Sequence, residues 1–334
     1  MIDDEISIGG TTMKVGGPTY VIAEIGSNHD QSLDRAKQLI EIAAEAGANG
    51  VKFQLYKASD LVNTDHPAHT ILVSTELQEE WLPVLAAFSR NSGVQLIVSA
   101  FSVSGAELLE SSGIAAHKVA SSEALNIPLL RYLASSALPV LVSIGMCSWV
   151  DVEMAMGVLQ ASGKRDIIPL QCISRYPLPI EQANLRVIPE LSRRYRGLAG
   201  FSDHTESLLA GACAVVSGAS VVEKHLTWSR AGLGPDHSYA LEPQAFRQYC
   251  ENIREAEAML GSAERLVEPE ERAGRRRVGL VITKDLAPGD LLTKDNVSAQ
   301  GPQEGIPAYY LSGILGCTVR DTLKAGDRLH WEAI

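Results

Sequence analysis

Cysteine is scarce and never paired along the chain. The five present, Cys147, Cys172, Cys213, Cys250 and Cys317, stand singly with no C-x-x-C spacing, which argues against a structural zinc site or disulfide framework and for reduced thiols in the cytoplasm. Long apolar runs are missing too: no uninterrupted stretch approaches membrane-spanning length. The start, Met1-Ile-Asp-Asp-Glu5, lacks the basic residues and apolar segment of a secretory signal. Positive charge is in short supply, with 29 Lys and Arg against 40 Asp and Glu for a net −11. Such a surface disfavours nucleic acid and anionic membranes, so any anionic ligand must be held by a local cluster of donors. What remains is ordinary globular composition, 46% hydrophobic and 21% charged over 334 residues. That length supports one large domain with a substantial core and a small second one.

From residue 19 onward, short apolar or β-branched runs alternate with segments of helical period, the pattern of repeated βα units. Eight strands are expected, at 19–25, 50–55, 94–100, 115–120, 139–144, 166–172, 197–201 and 220–225. Helices are expected at 33–46, 76–92, 126–136, 152–161, 207–217 and 243–260. This is an α/β chain of the size of a (β/α)8 barrel, with a doubly wound open sheet as the alternative. The barrel spans residues 1–265. A linker follows at 266–277, marked by Glu268-Pro-Glu-Glu271 and Arg275-Arg-Arg277. Residues 278–334 form a small, mostly β module. Its turns Pro288-Gly289 and Ala325-Gly326 lie in the similar segments Lys284–Leu292 and Arg320–Leu329.

A barrel of this kind places its chemistry where strands end, and polar residues do gather there. They include Glu24, Lys52 with Gln54, Ser99, Lys118 with Ser121 and Glu123, and Ser143. Further along come Gln171 with Ser174 and Tyr176, then Asp203-His204 and Glu223-Lys224-His225. Two lysines and several hydroxyls suit an anionic ligand. Histidines closing the last two strands would converge above the barrel and leave positions open, as a catalytic metal requires. Asp203 either orients a histidine or caps the following helix, and the sequence leaves both open.

The motifs carry a resemblance. Ala23-Glu-Ile-Gly-Ser-Asn-His-Asp30, Gly50-Val-Lys-Phe-Gln54, His117-Lys-Val-Ala-Ser-Ser-Glu123, Cys172-Ile-Ser-Arg-Tyr-Pro177, Gly200-Phe-Ser-Asp-His-Thr205, Val222-Glu-Lys-His-Leu-Thr227 and Gly234-Pro-Asp-His237 occur in order. In this the chain resembles the sialic acid synthase family, which includes legionaminic and pseudaminic acid synthases. Its last module resembles their antifreeze-like (SAF) domain. The resemblance implies metal-dependent condensation of phosphoenolpyruvate with an N-acylated amino-sugar aldehyde and water, releasing phosphate. It implies Lys52, Gln54, Ser99, Lys118, Ser121, Ser143, Ser174, Tyr176 and Asp236 as substrate-binding residues. His204 and His225 become ligands of a divalent cation, Mn2+ or Mg2+. Glu123 becomes the proton-handling candidate, and Glu24 and Glu223 hold sugar hydroxyls or organise the site. A homodimer follows in which one chain's C-terminal module covers its partner's barrel mouth.

Two other readings compete. A barrel aldolase or lyase would use Lys118 as an amine nucleophile, and a regulatory homologue would have lost catalysis. The chain also departs from the family pattern. Val98-Ser-Ala-Phe101 stands for S-T-P-F, Ser143-Ile-Gly-Met146 for S-T-G-M, and Ser122 for a usual glycine. In Gln300-Gly-Pro-Gln-Glu-Gly305, Gly301 takes the place of an arginine that meets the sugar's N-acetyl group in members using N-acetylmannosamine. A different acceptor is therefore expected, unless Arg230 or Arg320 substitutes.

Overall fold

The computed structural model describes residues 2–274 and 277–334. Met1 of the acidic N-terminal segment, and Arg275 and Arg276 of the basic run, lie outside the described residues. The chain divides into two units, Met1–Gly261 and Ser262–Ile334.

The first unit opens with a hairpin absent from the sequence reading, β1 (Glu5–Ile8) and β2 (Thr11–Lys14), paired antiparallel with Ile6 opposite Met13. Its period-2 alternation buries Ile6, Ile8 and Met13 while Glu5 and Ser7 face out. Backbone bonds from Ile2 to Tyr195 and from Asp3 to Arg165 tie this segment to residues that precede barrel strands. It therefore covers the end of the barrel opposite the strand C-termini.

The barrel strands are β3 (Tyr20–Glu24), β4 (Gly50–Leu55), β5 (Gln95–Ala100), β6 (Ala116–Val119), β7 (Val140–Ser143), β8 (Ile167–Cys172), β9 (Gly200–Asp203) and β10 (Val221–His225). All neighbours are parallel, and β10 closes onto β3 with Val221 opposite Tyr20 and His225 opposite Glu24. That pairing rules out the open sheet. The expected strands all form, although β9 lies two to three residues later than the run 197–201.

Helix Leu33–Glu45 shows why the intervening segments coil. Ser32 caps it by accepting from the Arg35 amide, and Ala36, Leu39, Ile40 and Ala43 put one apolar stripe against the sheet. Burying a side chain such as Leu39 contributes about 1.5–3 kcal/mol. Helix Pro243–Leu260 repeats the scheme with proline in its first turn and Phe246, Tyr249, Cys250 and Ile253 buried. Expected helix 76–92 is instead a 3-10 turn, Glu79–Trp81, running into Leu82–Asn91. Helices Val103–Glu110 and Val187–Tyr195 escaped the sequence reading. Each gives barely two turns of period, and Pro189 reads as a breaker although a first-turn proline sacrifices no helical bond.

The second unit has its own core of Leu280, Ile282, Leu286, Leu292, Val297, Ile306, Ile314, Val319 and Leu329. Helix Pro269–Gly274 lies within the expected linker, and β11 (Gly279–Ile282) pairs antiparallel with β12 (Val297–Gln300). The repeated turns are built alike. Asp290 accepts from the Ala287 amide and Asp327 from the Lys324 amide, each at 2.7 Å, and Gly289 and Gly326 take φ of 95° and 101°. Leu286 and Leu323 exchange backbone bonds of 2.8 and 3.0 Å, joining the two copies.

Candidate active site

Strand alternation selects what enters the barrel mouth. On β10, Glu223 and His225 face inward while Lys224 faces outward to Asp203. On β9 Ser202 faces inward, and His204, the residue after the strand, continues that alternation into the cavity. The inward residues line a cavity of about 410 Å3, with Glu24, Lys52, Gln54, Ser99, Lys118 and Ser143 on its other walls.

A charge network forms the floor. Lys52 Nζ lies 3.0 Å from Glu24 Oε2 and 3.6 Å from Glu223 Oε1, and donates to Ser99 Oγ at 3.3 Å. Lys118 Nζ donates to Ser143 Oγ at 2.7 Å and lies 3.9 Å from Glu223 Oε2. Ser202 Oγ donates to Glu223 Oε1 at 2.9 Å. All four charged groups are buried, so their environments drive them apart. Burial alone would raise Glu223, but Lys118, Lys52 and the Ser202 hydroxyl outweigh it and hold it low. Burial raises Glu24 and prevails over Lys52. Lys118 is lowered chiefly by burial, with Glu223 opposing. Lys52 is raised, because Glu223 and Glu24 overcome its burial.

A second cluster is aimed at hydroxyls rather than anions. Gln54 Nε2 donates to Glu24 Oε1 at 2.6 Å. A Cβ at Gly26, which sits at φ 53°, would lie 2.7 Å from Asp236 Oδ2, 3.2 Å from Glu24 Oε1 and 3.5 Å from Gln54 Nε2. Glycine is thus required for backbone and for space, and three polar groups converge beside it.

His204 and His225 stand with ring centroids 5.5 Å apart, and Tyr176 packs 4.1 Å from His204. Nδ1 of His204 donates to the Ile173 carbonyl at 2.8 Å, which leaves Nε2 as the lone-pair nitrogen. Burial would lower His204, but its contact with Cys172 raises it. Burial pushes His225 down to about 3, against the pull of Asp236. Its Nδ1 is buried without a hydrogen-bond partner among the described residues. A neutral imidazole with an unmatched nitrogen, beside another whose tautomer is set by a carbonyl, fits a divalent cation. Among the described residues no group of three or more His, Cys, Asp or Glu could hold a metal ion, so other positions would fall to water and ligand.

Several expectations are redirected. Glu123 does not line the cavity: it ends the 3-10 turn Ser121–Glu123, which presents Ser121 inward, and its Oε2 accepts from Asn126 Nδ2 at 2.7 Å. Ser174 is likewise no wall residue. Its Oγ flanks Gly145, where a Cβ would lie 2.5 Å from Ser174 Oγ and 2.7 Å from Ser121 Oγ. Asp203 neither orients a histidine nor serves only as a cap. It faces outward to Lys224 Nζ and Tyr249 Oη, both at 2.9 Å. Arg230 is engaged by Glu206 and by the Ser238 carbonyl at 2.7 Å. The cavity also uses Cys172, Ser202 and Tyr239, which the sequence reading passed over. Period 2 from His204 and from the end of β8 would have found the first two. Tyr239 lies in a loop and carried no signal.

The NeuB family profile matches residues 39–265, more than half the chain. The chain belongs to the NeuB family. The SAF domain profile matches residues 277–334 of this NeuB-family chain. It is 32% identical over 335 residues to the N,N'-diacetyllegionaminic acid synthase of Legionella pneumophila, covering 94% of both chains. With the pseudaminic acid synthase of Helicobacter pylori it shares 30% identity, over 95% of this chain and 98% of that one. The crystal structure of the N-acetylneuraminic acid synthetase of Leptospira borgpetersenii, in complex with citrate, matches with a TM-score of 0.77 and 29% identity, over 81% of this chain and 94% of that one.

Proposed function

We propose that this NeuB-family chain is a nonulosonic acid synthase, joining phosphoenolpyruvate to the open-chain aldehyde of an N-acylated amino sugar and releasing phosphate. The observation that carries the reading is one cavity with two chemistries. Buried Lys52 and Lys118 with Ser99, Ser121 and Ser143 suit a phosphate and a carboxylate, while Glu24, Gln54 and Asp236 suit sugar hydroxyls.

The new carbon–carbon bond joins the phosphoenolpyruvate methylene to the aldehyde carbon, and positive character builds at the enol carbon. Glu223, held ionised between the two lysines, stabilises that stage. Water adds to the same carbon; one of its protons passes to a carboxylate and from there to the oxygen of the former aldehyde, and the other leaves with the phosphate as the tetrahedral carbon collapses to the ketone. Glu24 is placed for this role, since burial has raised its proton affinity. Phosphate then leaves with the bridging oxygen, and Lys118 and Ser143 receive it. A divalent cation, Mn2+ or Mg2+, held by His204 and His225 would supply Lewis-acid polarisation of the aldehyde oxygen.

The low proton affinity of Lys118 also suits an aldolase amine. Borohydride trapping with pyruvate separates the two, since no covalent adduct is expected here. The deciding experiment is phosphate release from phosphoenolpyruvate against N-acylated hexosamines and deoxy-diamino hexoses. Release with none of them refutes the reading. With Gly301 in place of an arginine, a legionaminic- or pseudaminic-type precursor is expected to outrank N-acetylmannosamine. A homodimer is also proposed in which the C-terminal module of one chain covers the partner's barrel mouth and excludes water. A monomer by sedimentation, or full activity after deletion beyond Arg277, counts against it.

A further inference from the structure

We propose that Tyr239 determines acceptor specificity, its ring setting which sugar substituents the cavity admits while its bond to Asp236 orients the carboxylate that binds every acceptor alike. The inference rests on the synthase reading and names the residue that selects within it.

Lys118, Ser121 and Ser143 occupy the anion side of the cavity, and Asp236 Oδ2, Glu24 Oε1 and Gln54 Nε2 meet beside Gly26. Tyr239 acts on that second group in two ways. Its Oη donates to Asp236 Oδ1 at 2.6 Å, which occupies one carboxylate oxygen and leaves Oδ2, 3.3 Å from Ser27 Oγ, turned toward Glu24 and Gln54. Its ring lies 5.1 Å from both Tyr176 and His225, filling the space beside the histidine pair.

The segment carrying Tyr239 is held as a wall. Its ends are joined by Thr227 N to the Leu241 carbonyl at 2.9 Å and Leu241 N to the His225 carbonyl at 3.0 Å. Its centre is pinned by His237, fully buried and bonded through both nitrogens, to Thr227 Oγ1 at 2.6 Å and Asp30 Oδ1 at 2.8 Å. Trp228 Nε1 reaches the other oxygen of Asp30 at 2.9 Å. A substituent that meets the Tyr239 ring therefore cannot push it aside cheaply, and rejection follows from packing. A hydroxyl directed at Asp236 finds one oxygen presented in a fixed direction.

The test uses the full chain with Mn2+ and inorganic phosphate filling the anion side. Wild type, Tyr239→Ala and Tyr239→Phe are titrated by calorimetry with N-acetylmannosamine and with 2,4-diacetamido-2,4,6-trideoxymannose. Tyr239→Ala is expected to shift the ratio of the two Kd values at least tenfold toward the bulkier sugar. Tyr239→Phe keeps the ring and releases Asp236, so both sugars should weaken severalfold with their ratio preserved within twofold. A ratio within twofold of wild type in Tyr239→Ala, a shift toward the smaller sugar, or absence of sugar binding by wild type overturns the proposal. If Tyr239→Ala fails to fold, Tyr239→Leu is read by the same criteria. Phosphate release from phosphoenolpyruvate with the same sugars separates the two claims. The expected shift in binding without any release sustains the role of Tyr239 and refutes the synthase reading.

Discussion

Replacing Glu223 with glutamine removes one charge from a buried set of four while keeping the side chain's shape. Glu223 is the carboxylate held ionised by Lys118 and Lys52, so the variant leaves those two lysines short of their shared counter-charge out of water. At separations of 3.6 and 3.9 Å, each lysine attraction amounts to about 4 kcal/mol at an effective dielectric of about 20. Part of this is retained, because the amide oxygen still accepts from Ser202 and Lys118, already depressed by burial, sheds its proton more readily. A net loss of about 3–5 kcal/mol is expected, as for other buried pairs broken on one side. Inorganic phosphate should restore more stability to the variant than to wild type, since one repelling carboxylate is gone. Ligand at a hundred times its Kd contributes about 2.7 kcal/mol. Urea unfolding at neutral pH, with and without phosphate, reads both effects. Glu223 is held below its ordinary range, so its contribution is present above about pH 4.5 and lost as pH falls through its folded value. The gap between wild type and variant should narrow in acid. Equal stability at neutral pH, or larger phosphate stabilisation of wild type, would refute the network as described.

Gly145→Ala places a methyl between Ser121 Oγ and Ser174 Oγ. It should weaken binding of inorganic phosphate by tenfold or more while leaving the urea midpoint within experimental reach of wild type, as calorimetry and unfolding would show. Burial holds His29 down at about 4, with Asp30 opposing, so the unfolded chain takes up a proton that the folded chain refuses. Stability from this site is complete above pH 6.5 and declines toward pH 4, and His29→Gln should flatten that slope by up to about 3 kcal/mol between pH 7 and pH 4. His204→Ala and His225→Ala should each weaken Mn2+ binding at least tenfold by paramagnetic resonance titration. Unchanged Mn2+ affinity in both variants would move the cation site elsewhere.

The barrel was legible because its signal is repeated: alternation between short buried runs and amphipathic segments recurs eight times, and each unit reinforces the count. Most of the candidate site was legible for a related reason. Parallel strands bring their C-terminal ends to one rim, so Glu24, Lys52, Lys118, Ser143, His204, Glu223 and His225 could be placed together from strand ends alone. Elements too short to show a period, such as Val103–Glu110 and the hairpin Glu5–Lys14, were not legible. Glu123 sits on a turn, where chain position does not set side-chain direction as strand pleat does, and its carboxylate meets Asn126 while Ser121 of the same turn lines the cavity.

By itself the sequence determined the βα order, the burial pattern of each strand and the residue types available at the rim. Local propensity and period suffice for these. Only the tertiary structure decided which of these residues share a cavity. Closure of β10 on β3 brings Glu223 to Lys52, pairing of β10 with β9 sets Lys224 against Asp203, and the loop after β10 folds back so that Tyr239 meets Tyr176 and Asp236 meets Ser27. Such contacts join residues distant along the chain, and their distances are set by packing of the whole barrel, which no local pattern encodes.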